Sequence, residues 1–415
     1  MAEVHVSGVI RMQLRAVICS LCLCLPGLSL LQPPAIRAAE APKATQKPSV
    51  MIPVEQFGYH RPGDLYLSMR YSLVSLDFLD ANHLLFTFQK KALLTRESHP
   101  HPGDNDQLIH AVVVEIPSGN EVASADWRMH DHDRYLWSLG GGIFLVRQEN
   151  SIFRTNDSLQ LIPYGRFPGN LVALQMSPER SLIVVQTREP EEGAPAPVDS
   201  LTNEFLQSTS KPVVLRIVRV SDGTMIGKTR MRSAVNLPLN SDGILEVLEG
   251  KPDNWLISFA PMTVTPNSEK PKPLAELSST CRPTVSFLNH ETLMATRCTK
   301  SRDRSQLVLD LKGNRLWEHE LDGNHIWPTI SRSEDGSRFA QGTLKVAGYF
   351  SVSNVPGNSD IQAQMVDVFD TASGKVLMSA PATPVYDAGQ NFALSADGKK
   401  FAILHDGTIE IYDLP

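Results

Sequence analysis

The sequence predicts an all-β protein built from repeated hairpins. Three observations carry this prediction: apolar and polar residues alternate with a period of two, convincing amphipathic helices are almost absent, and one hairpin pattern recurs at long separation. The 415 residues are 42% hydrophobic and 20% charged, an ordinary composition for a globular protein. A chain of this length normally forms two or three domains, unless repeats join it into one closed architecture.

The recurring hairpin occurs in two versions. The segments that begin at Ser75 (SLDFLDANHLLFTF) and Thr284 (TVSFLNHETLMATR) align with each other without a gap. A second version carries serine in the turn and begins at Leu174 (LQMSPERSLIVVQ), Ile330 (ISRSEDGSRFAQG) and Ala393 (ALSADGKKFAIL). The Asp-Gly pairs of the last two segments supply the backbone freedom that a tight hairpin turn requires.

An outer pair of strands follows the hairpins, as in LVLDLKGNRLWEHEL from Leu307. Combining inner and outer pairs gives seven units, which begin near residues 73, 134, 171, 233, 284, 326 and 387. The last unit ends with the chain and lacks an outer strand, which the segment Ser49–Phe57 can supply. Because such closure leaves no exposed sheet edge, residues 50–415 are predicted to form one seven-bladed β-propeller of four-stranded antiparallel blades, closed by N- and C-terminal strands.

The serine and Asp-Gly version of the hairpin resembles the WD40-like repeats of bacterial propellers, including the Tol-system and YVTN types. Those repeats read approximately apolar, Ser, Pro, Asp, Gly, basic, apolar. The resemblance covers short stretches of each unit and implies the propeller fold and an exported bacterial protein. It says little about function, because propellers carry many unrelated activities.

Residues 1–39 are interpreted as a signal peptide, because a basic start precedes an apolar run and then small residues. The run from Ala16 to Leu31 is broken by Pro26 and Gly27 and is shorter than the roughly 20 residues that a membrane helix needs. We therefore expect a secreted or periplasmic protein without a permanent membrane span. The polar residues 40–49 are expected to form a flexible leader.

The charge balance argues against binding to nucleic acid. The full chain has a formal net charge of −6. Removal of residues 1–39 takes away three arginines and one glutamate, which leaves 36 basic and 44 acidic residues and a net charge of −8. A mildly acidic surface repels phosphate backbones and anionic lipid head groups.

Cys281 and Cys298 are the two cysteines left after the signal peptide, and they flank one predicted hairpin. If the turn is centred between Asn289 and His290, the two residues lie opposite each other. In an oxidising compartment a disulfide is expected, worth on the order of 3 kcal/mol for so short a loop. A metal pair or a reactive thiol are the alternatives, but no Cys-x-x-Cys spacing supports them.

One cluster of residues invites a chemical interpretation. His99, His101, His130 and His132 lie in two segments rich in Asp (SHPHPGDND and WRMHDHDRYLW), and loops of one propeller face would bring the segments together. Two pairs of imidazoles could then hold a divalent metal, which is the only cofactor that we consider. The alternative, which we favour, is a solvated loop and a strand cap whose polar groups bond to backbone.

The sequence contains no nucleophile elbow, phosphate-binding loop or dinucleotide fingerprint. Core packing is the expected role of the five tryptophans. Two functional hypotheses remain. The first is a non-catalytic exported propeller, expected to be a monomer, that acts as a binding or scaffold module for a protein or glycan partner. The second is a metal-assisted hydrolase or lactonase that uses the histidine cluster.

Overall fold

A computed structural model describes residues 44–63, 74–91, 107–129, 134–189, 212–262, 271–299, 304–321, 325–347, 360–385 and 390–415. These residues belong to one compact unit, Pro42–Pro415. Within it the chain forms strands almost throughout, with a short 3-10 helix at Glu55–Phe57. No helix in the described part of the chain is long and apolar enough to cross a membrane.

The strands are numbered along the chain. The first is β1 (Val50–Pro53), followed by β2 (Val74–Phe78), β3 (His83–Lys91), β4 (Gln107–Glu115), β5 (Glu121–Met129), β6 (Leu136–Gly140), β7 (Ile143–Gln148), β8 (Ser151–Thr155) and β9 (Leu161–Arg166). Next come β10 (Asn170–Met176), β11 (Leu182–Arg188), β12 (Val213–Arg219), β13 (Met225–Met231), β14 (Gly243–Lys251), β15 (Asn254–Pro261) and β16 (Lys272–Ser278). The last are β17 (Thr284–Phe287), β18 (Thr292–Cys298), β19 (Arg304–Asp310), β20 (Arg315–Leu321), β21 (His325–Arg332), β22 (Arg338–Val346), β23 (Ile361–Asp370), β24 (Val376–Ala382), β25 (Phe392–Leu394), β26 (Lys400–His405) and β27 (Thr408–Asp413).

The described strands form seven antiparallel sheets, which are the blades of a propeller. Blades 1, 2 and 3 are β2–β5, β6–β9 and β10–β13; blades 5 and 6 are β17–β20 and β21–β24. Each of these has four strands in sequence order, with the first strand innermost. The prediction of an all-β, seven-bladed propeller is confirmed, and with it the fold implied by the resemblance to WD40-like repeats.

Blade 4 differs from the others at its inner position. Its sheet contains β14, β15 and β16, and the preceding segment contacts it through a single bridge between Leu239 and Ile244. Pro238 lies in that segment, and proline has no N–H to donate to a strand pairing. The Pro238 carbonyl still accepts a hydrogen bond of 2.9 Å from the Leu245 N–H. The innermost position is therefore occupied by irregular backbone that is still bonded to β14.

The ring closes through strands from both ends of the chain. Blade 7 contains β25, β26 and β27, and β1 is its outermost strand, with Ile52 opposite Ile409. This confirms the prediction that Ser49–Phe57 supplies the missing strand. Ile52 is 1% exposed and packs in a core shared by blades 7 and 1. Closure is thus maintained by side-chain burial as well as by backbone hydrogen bonds.

Part of the stretch interpreted as a flexible leader is bonded to the ring. The Thr45 N–H donates to the Ser379 carbonyl at 2.9 Å, and the Ser379 N–H donates to Thr45 Oγ1 at 3.0 Å. Gln46 bonds to the Leu377 carbonyl at 3.1 Å. Because β24 is an edge strand with free backbone groups, a polar extended segment can pair with it. These bonds involve residues 45 and 46, and the flexible leader over residues 40–49 stays a prediction.

Hydrophobic side chains fill the spaces between neighbouring blades, and hydrogen bonds from aromatic residues join the outer rim. Trp127 on blade 1 donates to the Leu159 carbonyl of blade 2 at 3.0 Å, and Trp317 on blade 5 donates to the Thr371 carbonyl of blade 6 at 2.9 Å. Tyr164 on blade 2 donates to a carbonyl of blade 3 in the same way. All three lie on outermost strands and bond to the turn before the next blade's outermost strand. These three side chains therefore connect neighbouring blades by hydrogen bonds as well as packing in the core.

Cys281 and Cys298 are joined by a disulfide in blade 5, with 5.5 Å between their α-carbons. The pairing of β17 with β18 is shifted by one residue from the predicted hairpin, in which the turn was centred between Asn289 and His290. Thr284 lies opposite Thr296, so that the hairpin is centred on His290 itself. The bridge ties the segment before β17 to the end of β18.

Candidate functional site

The inner segments of all seven blades surround a central channel, which contains a cavity of about 310 Å³. Every blade contributes to the wall, as shown by one residue from each in chain order: Asp77, Trp137, Gln175, Leu237, Ser286, Arg332 and Gln390. Polar and charged side chains make up much of this wall. A cavity lined by a few convergent polar groups on a rigid frame is the first place to look for a binding site.

One mouth of the channel is formed by the turns between the first and second strands of the blades. We call this end the turn face. The turns of blades 4, 5, 6 and 7 contact one another in order. The Asn240 side chain of blade 4 donates to the His290 carbonyl of blade 5 at 2.9 Å. The Asn289 side chain of blade 5 donates to the Gly336 carbonyl of blade 6 at 3.2 Å. The Glu334 N–H of blade 6 donates to the Ala396 carbonyl of blade 7 at 2.9 Å. Together these contacts connect four neighbouring turns of the turn face.

An ion pair crosses this mouth. Arg180 of blade 3 donates to the Glu334 carboxylate of blade 6, and these blades lie on opposite walls of the ring. The pair rests against Gly140 of blade 2, where an added β-carbon would lie 2.9 Å from Arg180 Nη1 and 3.1 Å from Glu334 Oε2. Gly140 has a φ of 87°, which a residue with a side chain rarely adopts. The glycine therefore makes room for the ion pair.

Three further charged residues line the channel. Arg134, just before β6, donates from Nε to the Leu136 carbonyl at 3.1 Å, and its guanidinium carbon lies 5.3 Å from the centre of the Trp137 ring. Arg332 ends β21, and its buried Nε has no hydrogen-bond partner among the described residues. Asp77 projects from β2 of blade 1.

Enclosure within the ring shifts the pKa values of these groups. Burial raises the pKa of Asp77 from 3.8 to about 6, although the positive charges of Arg134 and Arg180 act against the shift. Burial, together with the neighbouring positive charge of Arg134, lowers the pKa of Arg332 from 12.5 to about 10. Loss of hydration in the channel also lowers the pKa of Arg134, although this side chain keeps contact with solvent, and the negative charge of Asp77 opposes the change. Arg332 therefore stays charged at neutral pH, whereas Asp77 titrates close to it.

The channel is locally positive in an acidic protein. Arg134, Arg180 and Arg332 supply three positive charges, and Glu334 and ionised Asp77 supply two negative ones. Protonation of Asp77 increases the positive excess from one to two. The 415 residues have a net charge of −6, so the described channel residues oppose the overall charge. A confined positive site of this kind attracts anions.

Asp77→Asn is expected to remove a pH-dependent loss of stability. Because burial raises the folded-state pKa above that of the unfolded chain, the stabilising contribution is present below pH 3.8 and is lost as the pH rises through about 6. The free energy of unfolding of D77N, relative to the wild type, should increase by about 2 kcal/mol from about pH 4.5 to about pH 7.5. Urea denaturation at both pH values measures this difference.

Asp335→Asn is the matched control for this experiment. Burial acts to raise the pKa of Asp335, but hydrogen bonds from Ser333 and Ser337 outweigh it, so the pKa is lowered. Its contribution to stability is therefore lost as the pH falls, and the pH trend of D335N should have the opposite sign. Equal trends in D77N and D335N would contradict our assignment of the titrating group.

The predicted metal ligands lie outside the described residues. His99 and His101 belong to the segment 92–106, and His130 and His132 belong to the segment 130–133. In the described part of the chain, no group of three or more His, Cys, Asp or Glu residues is arranged to hold a metal ion. The histidine site, and the divalent metal with it, stays a prediction.

Arg332 was missed by sequence reasoning, although the repeat contains a signal for it. Strand pairing places Arg332, the last residue of the inner strand of blade 6, opposite Phe339. The last paired residues of the inner strands in blades 1, 5 and 7 are Phe78, Phe287 and Leu394. A charged residue thus replaces an apolar one at an inner position of the repeat. Burying a charge in a core strand costs free energy unless the charge is paired or hydrogen-bonded.

Known proteins that are similar to this chain are found among solved structures. No protein-family model matches the chain, and no curated protein matches it. Among solved structures, the WD40 domain of Toxoplasma gondii coronin is 9% identical over 81% of this chain and 79% of that chain, with a TM-score of 0.44. A chain of a mitotic checkpoint complex is 12% identical over 96% of this chain and 99% of that chain, with a TM-score of 0.43.

An acylaminoacyl peptidase from Pyrococcus horikoshii is also similar. It is 8% identical over 84% of this chain and 52% of that chain, with a TM-score of 0.48. The chain thus spans about half of the length of that peptidase. At such identities and TM-scores, these similarities assign no activity to the chain.

Proposed function

We propose that this propeller is an exported, non-catalytic binding module that holds a protein partner on its turn face. The observation that carries the proposal is the positive channel, which opens on the turn face beside the connected turns of blades 4 to 7. Guanidinium, hydroxyl and amide groups line it, and these are groups that recognise a ligand. Export rests on the signal peptide predicted for residues 1–39.

The frame of the ring favours binding without rearrangement. Tyr135 and Thr87 hydrogen bond between blades 1 and 2 at 2.6 Å, and Gln306 and Gln341 do so between blades 5 and 6 at 2.7 Å. All four side chains are buried. Rigid support of this kind lowers the entropy that a site loses when its ligand binds. The closed ring is also consistent with a monomer, because a described edge strand such as β24 is covered by residues 45–46.

A protein is preferred to a glycan because of charge. Guanidinium groups pair with carboxylates in a bidentate geometry, and acidic side chains occur on almost any protein surface. A neutral glycan offers hydroxyl groups, which leave the positive excess of the channel unmatched. The hydrolase alternative depends on different residues, because the histidine-rich segments, and not the arginines of the channel, would have to supply its chemistry.

Site-specific photocrosslinking in the source cell tests the proposal. A photoreactive amino acid is placed at Asp80 or Asp397, which are exposed on the turn face, and at the exposed Val122 or Leu316 on outermost strands as matched controls. We expect one discrete protein adduct at the turn-face positions and none at the rim positions. Equal crosslinking at all positions, none at any, or a glycan adduct would overturn the assignment of a protein partner to this face.

A further inference from the structure

We propose that Arg134 and Arg332 form an anion site inside the channel, and that its ligand is a carboxylate carried by an acidic segment of the protein partner. This inference rests on the binding function proposed above. It adds the position of the site and the chemical class of the group that the site receives.

Arg332 provides the first observation. Its guanidinium lies among the inner strands, and its Nε is shielded from solvent without a hydrogen-bond partner in the described residues. Buried donors in folded proteins nearly always have an acceptor, and a buried charge nearly always has a counterion. An anionic oxygen within the channel would supply both.

Arg134 provides the second observation. Its Nε is held by the Leu136 carbonyl, and its plane is supported by the Trp137 ring. These contacts fix the side chain and leave its terminal nitrogens without a hydrogen bond to any described residue. A guanidinium fixed in this way presents a preorganised fork to a carboxylate.

The size and the mouth of the channel suggest the form of the ligand. A cavity of about 310 Å³ is large enough for a few side chains but not for a folded domain. The ion pair between Arg180 and Glu334 spans the mouth and further narrows the passage. An extended acidic segment can pass such an opening and place one carboxylate between the two arginines.

Asp77 adds a pH dependence to the site. The groups that face it are Arg134, Arg180 and the Tyr135 hydroxyl, while Glu334 is already paired with Arg180. Ionised Asp77 competes with the ligand for Arg134, and protonation near pH 6 removes that competition. Glutamate side chains of the ligand stay ionised down to about pH 4.5. Binding is therefore expected to strengthen as the pH falls from about 7.5 to about 5.5.

Isothermal titration calorimetry with a defined probe tests the inference. The probe is acetylated triglutamate, and acetylated triglutamine amide is the neutral comparison. We expect the full mature chain to bind triglutamate and not the neutral peptide, and R332Q to weaken binding by about tenfold or more. R219Q is the charge-matched control, because Arg219 is 48% exposed and pairs with Asp222. It should change the affinity by no more than about twofold.

The outcomes are distinguishable. R332Q is expected to fold, because the substitution removes a buried charge, and a thermal melt verifies this. R134Q is a second variant, for which the same loss of affinity for triglutamate is expected. Unchanged binding in both variants, or equal loss in R219Q, would overturn the site. Binding of inorganic phosphate but not of triglutamate would overturn the carboxylate assignment. Crosslinks on the turn face without binding of triglutamate would reject the anion site and leave the proposed function standing. Binding of triglutamate without crosslinks on the turn face would reject the protein partner and leave the anion site standing.

Discussion

Replacing Trp317 with alanine is expected to destabilise the ring by about 3–5 kcal/mol, the range for removing a large aromatic side chain from a core. Trp317 is 8% exposed, and its ring centre lies 6.3 Å from that of Phe339 and 6.4 Å from that of Phe369. Its indole N–H donates to the Thr371 carbonyl across the boundary between blades 5 and 6. The substitution removes packing and an interblade hydrogen bond together.

Two companion variants separate these contributions. W317F retains most of the packing and loses the N–H donor, which should cost about 1 kcal/mol. L316A changes the neighbouring residue, which is 42% exposed, and should stay within about 0.5 kcal/mol of the wild type. Urea denaturation followed by circular dichroism measures all three variants. A similar loss in L316A and W317A would show that Trp317 does not join the blades as described.

Replacing Ile52 with aspartate is expected to open the ring and to lower the free energy of unfolding by about 4 kcal/mol or more. Ile52 is 1% exposed and contributes to the core between blades 7 and 1. Aspartate there would lose the apolar burial and leave an unpaired charge inside the closure, which are two of the largest known destabilising effects. Because β1 is the only strand that joins the start of the described chain to blade 7, its loss affects the whole architecture.

Met51 on the same strand provides the control. It is adjacent to Ile52 but 60% exposed, so M51D should leave the free energy of unfolding within about 0.5 kcal/mol of the wild type. Limited proteolysis adds a second measurement, because an open ring should be cut rapidly near its N-terminus while M51D resists. Wild-type stability in I52D would contradict closure through β1.

The repeated hairpin was sufficient to predict the blades because it depends on local chemistry. Alternating apolar residues and glycine turns specify each strand pair within about 15 residues. The absence of an outer strand in the last unit, together with an apolar segment at Ser49–Phe57, was enough to predict the closure. The irregular inner segment of blade 4 was not predicted, because its hydrogen bonds depend on how Pro238 fits beside β14.

The candidate site was harder to predict because its members are distant in sequence. Arg134, Arg180 and Arg332 belong to blades 2, 3 and 6, and no motif or spacing connects them. The histidine-rich segments form a recognisable pattern in the sequence, because their titratable residues are close together along the chain. The charges that converge are instead single residues in otherwise apolar or serine-rich inner strands.

The amino-acid sequence by itself determined the number of blades, the strand that closes them and the hairpin that carries the disulfide cysteines, because each follows from periodicity or from neighbours along the chain. Only the tertiary structure decided which side chains meet in the channel. Ring closure brings Asp77, Arg134 and Arg332 together in the wall of one channel, and the loss of hydration there shifts their pKa values. Such proximity and burial arise when all seven blades are assembled, and no single repeat contains them.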